Sequence, residues 1–454
     1  ARQMEAIVEP LEQVAGESGG DVLADEVGQH EWDERFRALR AKRAGPTELA
    51  AEIWLPLGQL DAFVRDVDRM GRTMGIEFYN YGSIVAPNSA TAFAMYRSDE
   101  TQLVEFILSL SITRRLHSIG KRHGGRPYGT GLWNAAYLSD QYTRSEIKVM
   151  RRRKRELDPQ NILNPGKVYK PLPLLPPFLF KNGLAALSLV ATAYKRTIGP
   201  RLLPDVTEPV PPYTGIGRET LVCAQCGYCR TACPVYAVLG WETSAPRGKI
   251  AASKEIKLGR GLTPAFPDEY VNRLFQCTLC GACAEVCPTH IPLRQLWLDV
   301  RAKVSESGAA PEPFRMLRDG LNARHNLTQY ENETRTDWAK DIDGCEQWVD
   351  KTNARVGYFV GCVASFYPIG TSIARAMVEI LQYVGADFTV LGSDEWCCGY
   401  PLLATGMRDD ARKMAIHNLE RMETLGIETL VAACPACYHT WEHFYPELTG
   451  RALP

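Results

Sequence analysis

Eight of the fourteen cysteines repeat one spacing twice: Cys223, Cys226, Cys229 and Cys233 before Pro234, then Cys277, Cys280, Cys283 and Cys287 before Pro288. A CxxCxxCxxxCP run is a ligand pattern for 4Fe–4S clusters held in pairs. Three thiolates on a tight loop cap three corners of an iron–sulfur cube, and the fourth, carried off by the following helix, reaches the other cube. On that rule Cys223, Cys226, Cys229 and Cys287 bind one cluster, and Cys277, Cys280, Cys283 and Cys233 bind the other. Structural zinc more often uses two separated CxxC pairs, and a disulfide framework belongs to an oxidising compartment. The spacing therefore predicts a chain that moves electrons.

Five further cysteines form a second pattern. Cys362 precedes the adjacent pair Cys397 and Cys398 by 34 intervening residues, and 35 more separate the pair from the CxxC of Cys434 and Cys437. Adjacent cysteines project their thiols in different directions, which suits an extended cluster better than one tetrahedral ion; a zinc site or a degenerate domain is the alternative. The layout resembles the cysteine-rich CCG domain, named for residues equivalent to Cys397, Cys398 and Gly399. That domain occurs in heterodisulfide reductase catalytic subunits and in iron–sulfur subunits of glycolate and anaerobic glycerol-3-phosphate dehydrogenases. The resemblance implies that all five cysteines hold a non-cubane iron–sulfur cluster. Cys345 fits neither pattern and reads as a core thiol.

The elements that must position these groups are legible in outline. Each ferredoxin-type loop should open into a short helix, giving a helical two-cluster module over 204–304. Between the runs, Ser244 to Ile250 is similar to an SxPRGR segment of glycolate oxidase and lactate-utilisation iron–sulfur proteins; Arg247 there reads either as a donor to an anionic cluster or as an exposed turn residue. From Arg355 the pattern alternates: strands at 356–360, 388–391 and 429–433, helices at 373–384 and 409–425. All three cysteine groups then follow strand C-termini, where an open α/β sheet presents its ligands. His439 and His443 share one face of the next helix and read as an ordinary polar face, with a metal site as the alternative.

The first 170 residues carry no metal spacing. Trp32-Asp33-Glu34-Arg35-Phe36 with Arg40, Gly45-Pro46, and Glu52-Ile53-Trp54-Leu55-Pro56-Leu57 are similar to the substrate or cap domain of FAD-linked oxidases of the vanillyl-alcohol oxidase and D-lactate or glycolate dehydrogenase type. Leu157 to Lys167, with its Asn164-Pro165-Gly166 turn, resembles the end of those flavoproteins. The resemblance implies an antiparallel sheet and an FAD ring approached by Asn164 and Gly166. Where such dehydrogenases carry metal-binding histidines, this chain has Tyr79-Asn80-Tyr81-Gly82 and Pro127-Tyr128-Gly129, so a tyrosine-rich site is expected instead. Tyr79, Tyr81 and Tyr128 become candidates for proton relay and Arg126 for a substrate carboxylate, with His123 a weaker one; a structural polar role is open for each.

Composition fits this reading. The chain has 454 residues, 45% hydrophobic, enough for several domains, and a formal net charge of −1, which gives nucleic acid no basic partner. The basic run Arg151 to Arg155 reads as a solvated helix face. Free thiols in metal-ligand spacing imply a cytoplasmic setting. Prolines bracket 171–203 as a linker around an apolar run, Asn182 to Tyr194, too short to cross a bilayer; it is either a helix packed between domains or an interfacial helix at the inner face of a membrane. The fold class expected is α+β multidomain: a flavin-oxidase cap domain (1–170), the linker, the 4Fe–4S module (204–304), a second linker (305–354) and an α/β CCG domain (355–454). No glycine-rich FAD-binding loop precedes the cap, so the chain reads as part of a longer fused polypeptide that shares its FAD with an upstream domain. The expected function is a flavin- and iron–sulfur-dependent dehydrogenase of an organic hydroxy compound, passing electrons to a quinone, a disulfide or a redox protein. The rival is a heterodisulfide-reductase-like electron-transfer component with an inactive oxidase tail.

Overall fold

A computed structural model describes residues 2–165 and 215–453, apart from 22, 35–36, 44–46, 101, 130–133, 257–264 and 452, and between those spans only 183 and 186. Gly166 and nearly all of the proline-bracketed linker thus lie outside the described residues. Two compact units result: Ala1–Thr214 with Leu221–Cys226 and Pro288–His290, and Gly215–Thr220 with Gly227–Cys287 and Ile291–Pro454.

The first unit is built on a four-stranded antiparallel sheet of β1 (Thr47–Pro56), β2 (Tyr79–Ala86), β3 (Ser89–Ser98) and β4 (Arg126–Pro127), in the order β2-β3-β1-β4. Alternation along β1 decides its faces. Leu49, Ala51, Ile53 and Leu55 are buried, while Glu48, Glu52 and Trp54 point the other way and are half-buried. The buried face packs on α1 (Leu60–Met74), through Phe63, Val67 and Met74, and on α2 (Leu103–Arg122), through Ile112, Leu116 and Ile119. Beyond them α3 (Arg144–Leu157) starts at a capping box, Thr143 with Glu146. Arg151, Arg152, Arg153 and Arg155 are exposed on it, the solvated face expected from their charge.

The second unit carries short helices after each cysteine loop: α4 (Tyr228–Thr231), α5 (Pro234–Leu239), α6 (Pro246–Glu255), α7 (Ala282–Glu285) and the longer α8 (Leu293–Glu306). Prolines at the first turn of α5 and α6 start those helices where a missing N–H costs nothing. The chain then forms a parallel three-stranded sheet, β6-β5-β7, from β5 (Val356–Phe359), β6 (Phe388–Val390) and β7 (Thr429–Ala432). Interleaved are α9 (Gly361–Phe366), α10 (Pro368–Tyr383), α11 (Tyr400–Ala404), α12 (Arg408–Leu425) and α13 (Pro435–His439). Tyr358, Val378, Leu381, Phe388 and Val390 form the core with Trp338 and Trp348, which come from the 305–354 stretch, and Cys345 packs against it. Among the described residues no helix is long and apolar enough to cross a membrane.

Candidate metal centres and substrate face

Cys233, Cys277, Cys280 and Cys283 line one small cavity in the second unit. The fourth cysteine of the first run thus meets the first three of the second. Pro234 explains the reach: it starts α5 immediately after Cys233, whose thiol accepts from the Tyr236 N–H at 3.5 Å. Burial and the neighbouring thiols push Cys283 up to about 12. Among the described residues no three His, Cys, Asp or Glu side chains close on a single-ion site. Four sulfur donors with a lysine in the wall fit an anionic iron–sulfur cube. The other four cysteines are divided between the units: Cys223 and Cys226 in the first, one buried and one exposed, and Cys229 and Cys287 in the second, both half-buried. In the first unit Lys42 donates to the Cys223 carbonyl at 3.4 Å, and Arg43 donates to the carbonyls of Thr289, at 2.6 Å, and His290.

In the segment between the runs Arg247 is half-buried. Its guanidinium donates to Glu242 at 2.7 Å, and Arg230 lies 3.4 Å from the same carboxylate. The buried cation is Lys249, two residues on, 1% exposed and part of the cavity wall. A helical turn explains the difference: Lys249 sits on the inner side of α6.

The second cysteine pattern converges as well. Hydrogen bonds link the thiols in the order Cys362, Cys397, Cys398, Cys437, Cys434. Cys362 lies three residues beyond Phe359, the end of β5, and Cys434 two beyond Ala432, the end of β7. Gly361 has a φ of +76°, and a Cβ there would lie 3.1 Å from the Cys437 sulfur. The turn needs glycine both for its backbone and for the room it leaves. The bond from Cys437 holds Cys434 down to about 5, and the bonds to Cys398 and Cys434 raise Cys437. Five thiols in one contiguous chain exceed the four that a tetrahedral ion takes, and fit a multinuclear centre.

Two functional-site residues beside this chain escaped the sequence reading. Arg335 and Glu395 are 2% and 0% exposed and meet at 2.7 Å. Glu395 also accepts the N–H groups of Val360, at 2.9 Å, and Gly361, at 2.8 Å, and Arg335 points a second nitrogen at the Cys362 sulfur, 3.6 Å away. Burial opposes the charge of Arg335, but Glu395 and Cys362 outweigh it and hold the guanidinium above its ordinary value. Glu395 stands two residues before the cysteine pair, a signal that could have been used. Arg335 had none, because it reaches Cys362 only through the fold.

On the first unit, Tyr79, Tyr81 and Arg126 occupy the half-exposed sheet face, with Tyr128 just beyond β4. Cross-strand register puts Tyr81 opposite Phe93, Phe93 opposite Glu52, and Trp54 opposite Arg126. The Tyr81 and Phe93 rings are 5.3 Å apart, and the Arg126 guanidinium lies 5.0 Å from the Trp54 ring centroid. The candidates fall at two edges, however: three strand spacings, roughly 14 Å, separate β2 from β4. Glu52 lies between them, its carboxyl raised by desolvation; only the alternation of β1 could have pointed to it. Its backbone carbonyl accepts the Tyr128 N–H at 2.9 Å. His123 instead binds Asp66 of α1 at 3.1 Å, in the helical layer. His439 and His443 touch edge to face, their centroids 4.4 Å apart. Asn164 is exposed with a φ of 48°.

Three family models match the chain in succession: the C-terminal domain of FAD linked oxidases over residues 1–168, a 4Fe-4S dicluster domain over 219–291 and a cysteine-rich (CCG) domain over 356–441. One component of the dihydromethanophenazine:CoB–CoM heterodisulfide reductase from Methanosarcina acetivorans is 31% identical over 249 residues, 51% of this chain and 59% of that protein. A probable glycolate oxidase iron–sulfur subunit from Bacillus subtilis is 25% identical over 285 residues, 52% of this chain and 62% of that protein. A probable membrane-anchored ferredoxin from Chromohalobacter salexigens is 25% identical over 261 residues, 50% of this chain and 37% of that protein. The chain thus spans about three-fifths of the first two relatives. No solved structure matches it. Segments matching an FAD linked oxidase C-terminal domain, a 4Fe-4S dicluster domain and a cysteine-rich domain therefore follow one another in one chain similar to iron–sulfur electron-transfer subunits.

Proposed function

We propose that this chain supplies the substrate wall and the electron relay of a flavin- and iron–sulfur-dependent dehydrogenase acting on an organic hydroxy compound, either a 2-hydroxy acid or an alcohol or phenol. The observation that carries the reading is the cavity in which Cys233 of one run joins Cys277, Cys280 and Cys283 of the other. It is the exchange of ligands that a two-cube relay requires. When bound, FAD takes a hydride from substrate, and iron–sulfur clusters take electrons one at a time.

The chain's own residues do the rest. Arg126 holds a substrate carboxylate or phenolate, Tyr128 orients the hydroxyl, and Glu52, desolvated on the same face, receives its proton; Tyr79 and Tyr81 stand at the far edge of that face. Asn164 and Gly166 approach the flavin. Cys223, Cys226, Cys229 and Cys287 hold one cube, and Cys233, Cys277, Cys280 and Cys283 hold the other. Cys362, Cys397, Cys398, Cys434 and Cys437 hold the exit centre, where a quinone, disulfide or protein takes the electrons.

Anaerobic reconstitution tests the relay: iron and sulfide analysis with electron paramagnetic resonance should show two interacting cubes. Cys226→Ser and Cys280→Ser should each cripple a different one, and Cys345→Ala should lose no iron. Zinc without labile sulfide would refute it. The split of Tyr79 and Tyr81 from Arg126 across the sheet favours a second reading, an electron-transfer component with an inactive oxidase segment. A form carrying a flavin-binding segment separates the two: substrate bleaches its flavin under the first reading and leaves it yellow under the second.

A further inference from the structure

Positive charge gathers around the cavity of Cys233, Cys277, Cys280 and Cys283 without its own counter-ions. The Lys249 ammonium is buried, donates to the Ser244 carbonyl at 2.6 Å and lies 5.7 Å from the Trp297 ring centroid. Arg294 lines the same cavity, its Nε buried without an acceptor. Arg301, 4% exposed, donates to three carbonyls: Ala404 at 2.6 Å, Leu274 at 2.9 Å and Cys277 at 2.6 Å. Among the described residues none of these three cations pairs with a carboxylate. Lys249 and Arg301 are buried and Arg294 half-buried, and cations left in this way are costly unless something anionic stands beside them.

The surroundings of the first run differ. Arg247 passes Gly227, between Cys226 and Cys229, closely enough that a Cβ there would lie 2.9 Å from its Nη1. Yet Arg247 and Arg230 share Glu242. Their charge is already partly answered.

We infer that Lys249, helped by Arg294 and Arg301, is a built-in counter-charge that makes the Cys233, Cys277, Cys280 and Cys283 site the more easily reduced of the two. The inference rests on the reading that both sites hold cubes. One electron added to a site makes it one unit more negative, and a nearby cation in a low-dielectric wall favours that state. The donor site loses one electron and the acceptor site gains it; no bond forms or breaks.

The same cations fix where the electron goes next. Arg301 ties the Cys277 carbonyl to that of Ala404, at the end of the helix that follows the cysteine pair, and Ser305 donates to the Thr405 carbonyl at 2.7 Å. Gly406, φ +83°, presses on α8 so closely that a Cβ would lie 2.3 Å from the Arg301 carbonyl oxygen. The electron-favouring site is thereby anchored to the five-thiol chain.

The test is a potentiometric titration of the reconstituted full chain, read by electron paramagnetic resonance, for the unaltered protein, Lys249→Met, Lys249→Arg and Arg294→Gln. Cys226→Ser and Cys280→Ser assign the two midpoints. Lys249→Met should lower the midpoint of the site that survives Cys226→Ser by about 59 mV or more, a tenfold change in its one-electron equilibrium. Lys249→Arg should restore most of it. Arg294→Gln, at a more exposed position, should shift the same midpoint the same way, and serves if Lys249→Met loses iron. Two intact cubes with neither midpoint moved, or with the other one moved, would overturn the counter-charge. Loss of cube signals from the unaltered protein would instead overturn the reading beneath it.

Discussion

Replacing Arg335 with methionine should loosen the turn that carries Cys362. The side chains of Arg335 and Glu395 are 2% and 0% exposed and 2.7 Å apart. Breaking a buried pair from one side costs about 3–5 kcal/mol, because the remaining charge keeps its desolvation penalty and loses its partner. Glu395 would be left with the N–H groups of Val360 and Gly361 as its main support. Those two amides report the damage directly. If local opening governs their hydrogen exchange, the loss speeds it roughly 100- to 4,000-fold, since each 1.4 kcal/mol is tenfold. Exchange followed by mass spectrometry on a peptide covering 356–366 reads this without needing whole-chain unfolding, which two units make poorly two-state. The double variant Arg335→Met with Glu395→Gln removes both charges and should exchange more slowly than the single one. Exchange within tenfold of the unaltered protein, or a double variant no better than the single, would refute the reasoning.

Gly406→Ala should destabilise the packing of α8 on the segment after the cysteine pair by about 1–3 kcal/mol, since a side chain meets both the positive φ and the Arg301 backbone; denaturant unfolding followed by tryptophan fluorescence checks it, and an unchanged midpoint counts against it. Glu52→Gln should raise the melting temperature of the first unit at pH 8 and leave it nearly unchanged at pH 4. Desolvation raises the Glu52 carboxyl, so its stability contribution is complete below the unfolded value and is lost as pH rises through the folded one. An equal effect at both pH values would show that charge is not the cause.

Spacing carried the sequence reading furthest where chemistry requires it. The exchange of Cys233 into the second run's cavity follows from a ligand rule, and the strands at 356, 388 and 429 follow from short apolar runs between helical periods. The oxidase face was half legible. Tyr79, Tyr81 and Arg126 do share one side of a sheet, but their separation depends on strand order β2-β3-β1-β4, which no local pattern encodes. Lys249 was missed in favour of Arg247 because both lie in one segment and only the helix phase tells which is inside. Arg335 was illegible for a stronger reason. Its partner Glu395 is 60 residues away, and a polar residue far from any motif gives no sign that it will be buried.

Gly406 against the backbone of α8 has a kinetic consequence. Electron carriers that meet by diffusion must find each other, and their rates fall as solvent viscosity rises. Here the helix after the second cysteine run and the turn after the cysteine pair touch backbone to backbone, with Arg301 bonded across the contact. In the proposed relay a hop between the two centres has no encounter step. Its rate should be first-order, unaffected by dilution, and indifferent to glycerol.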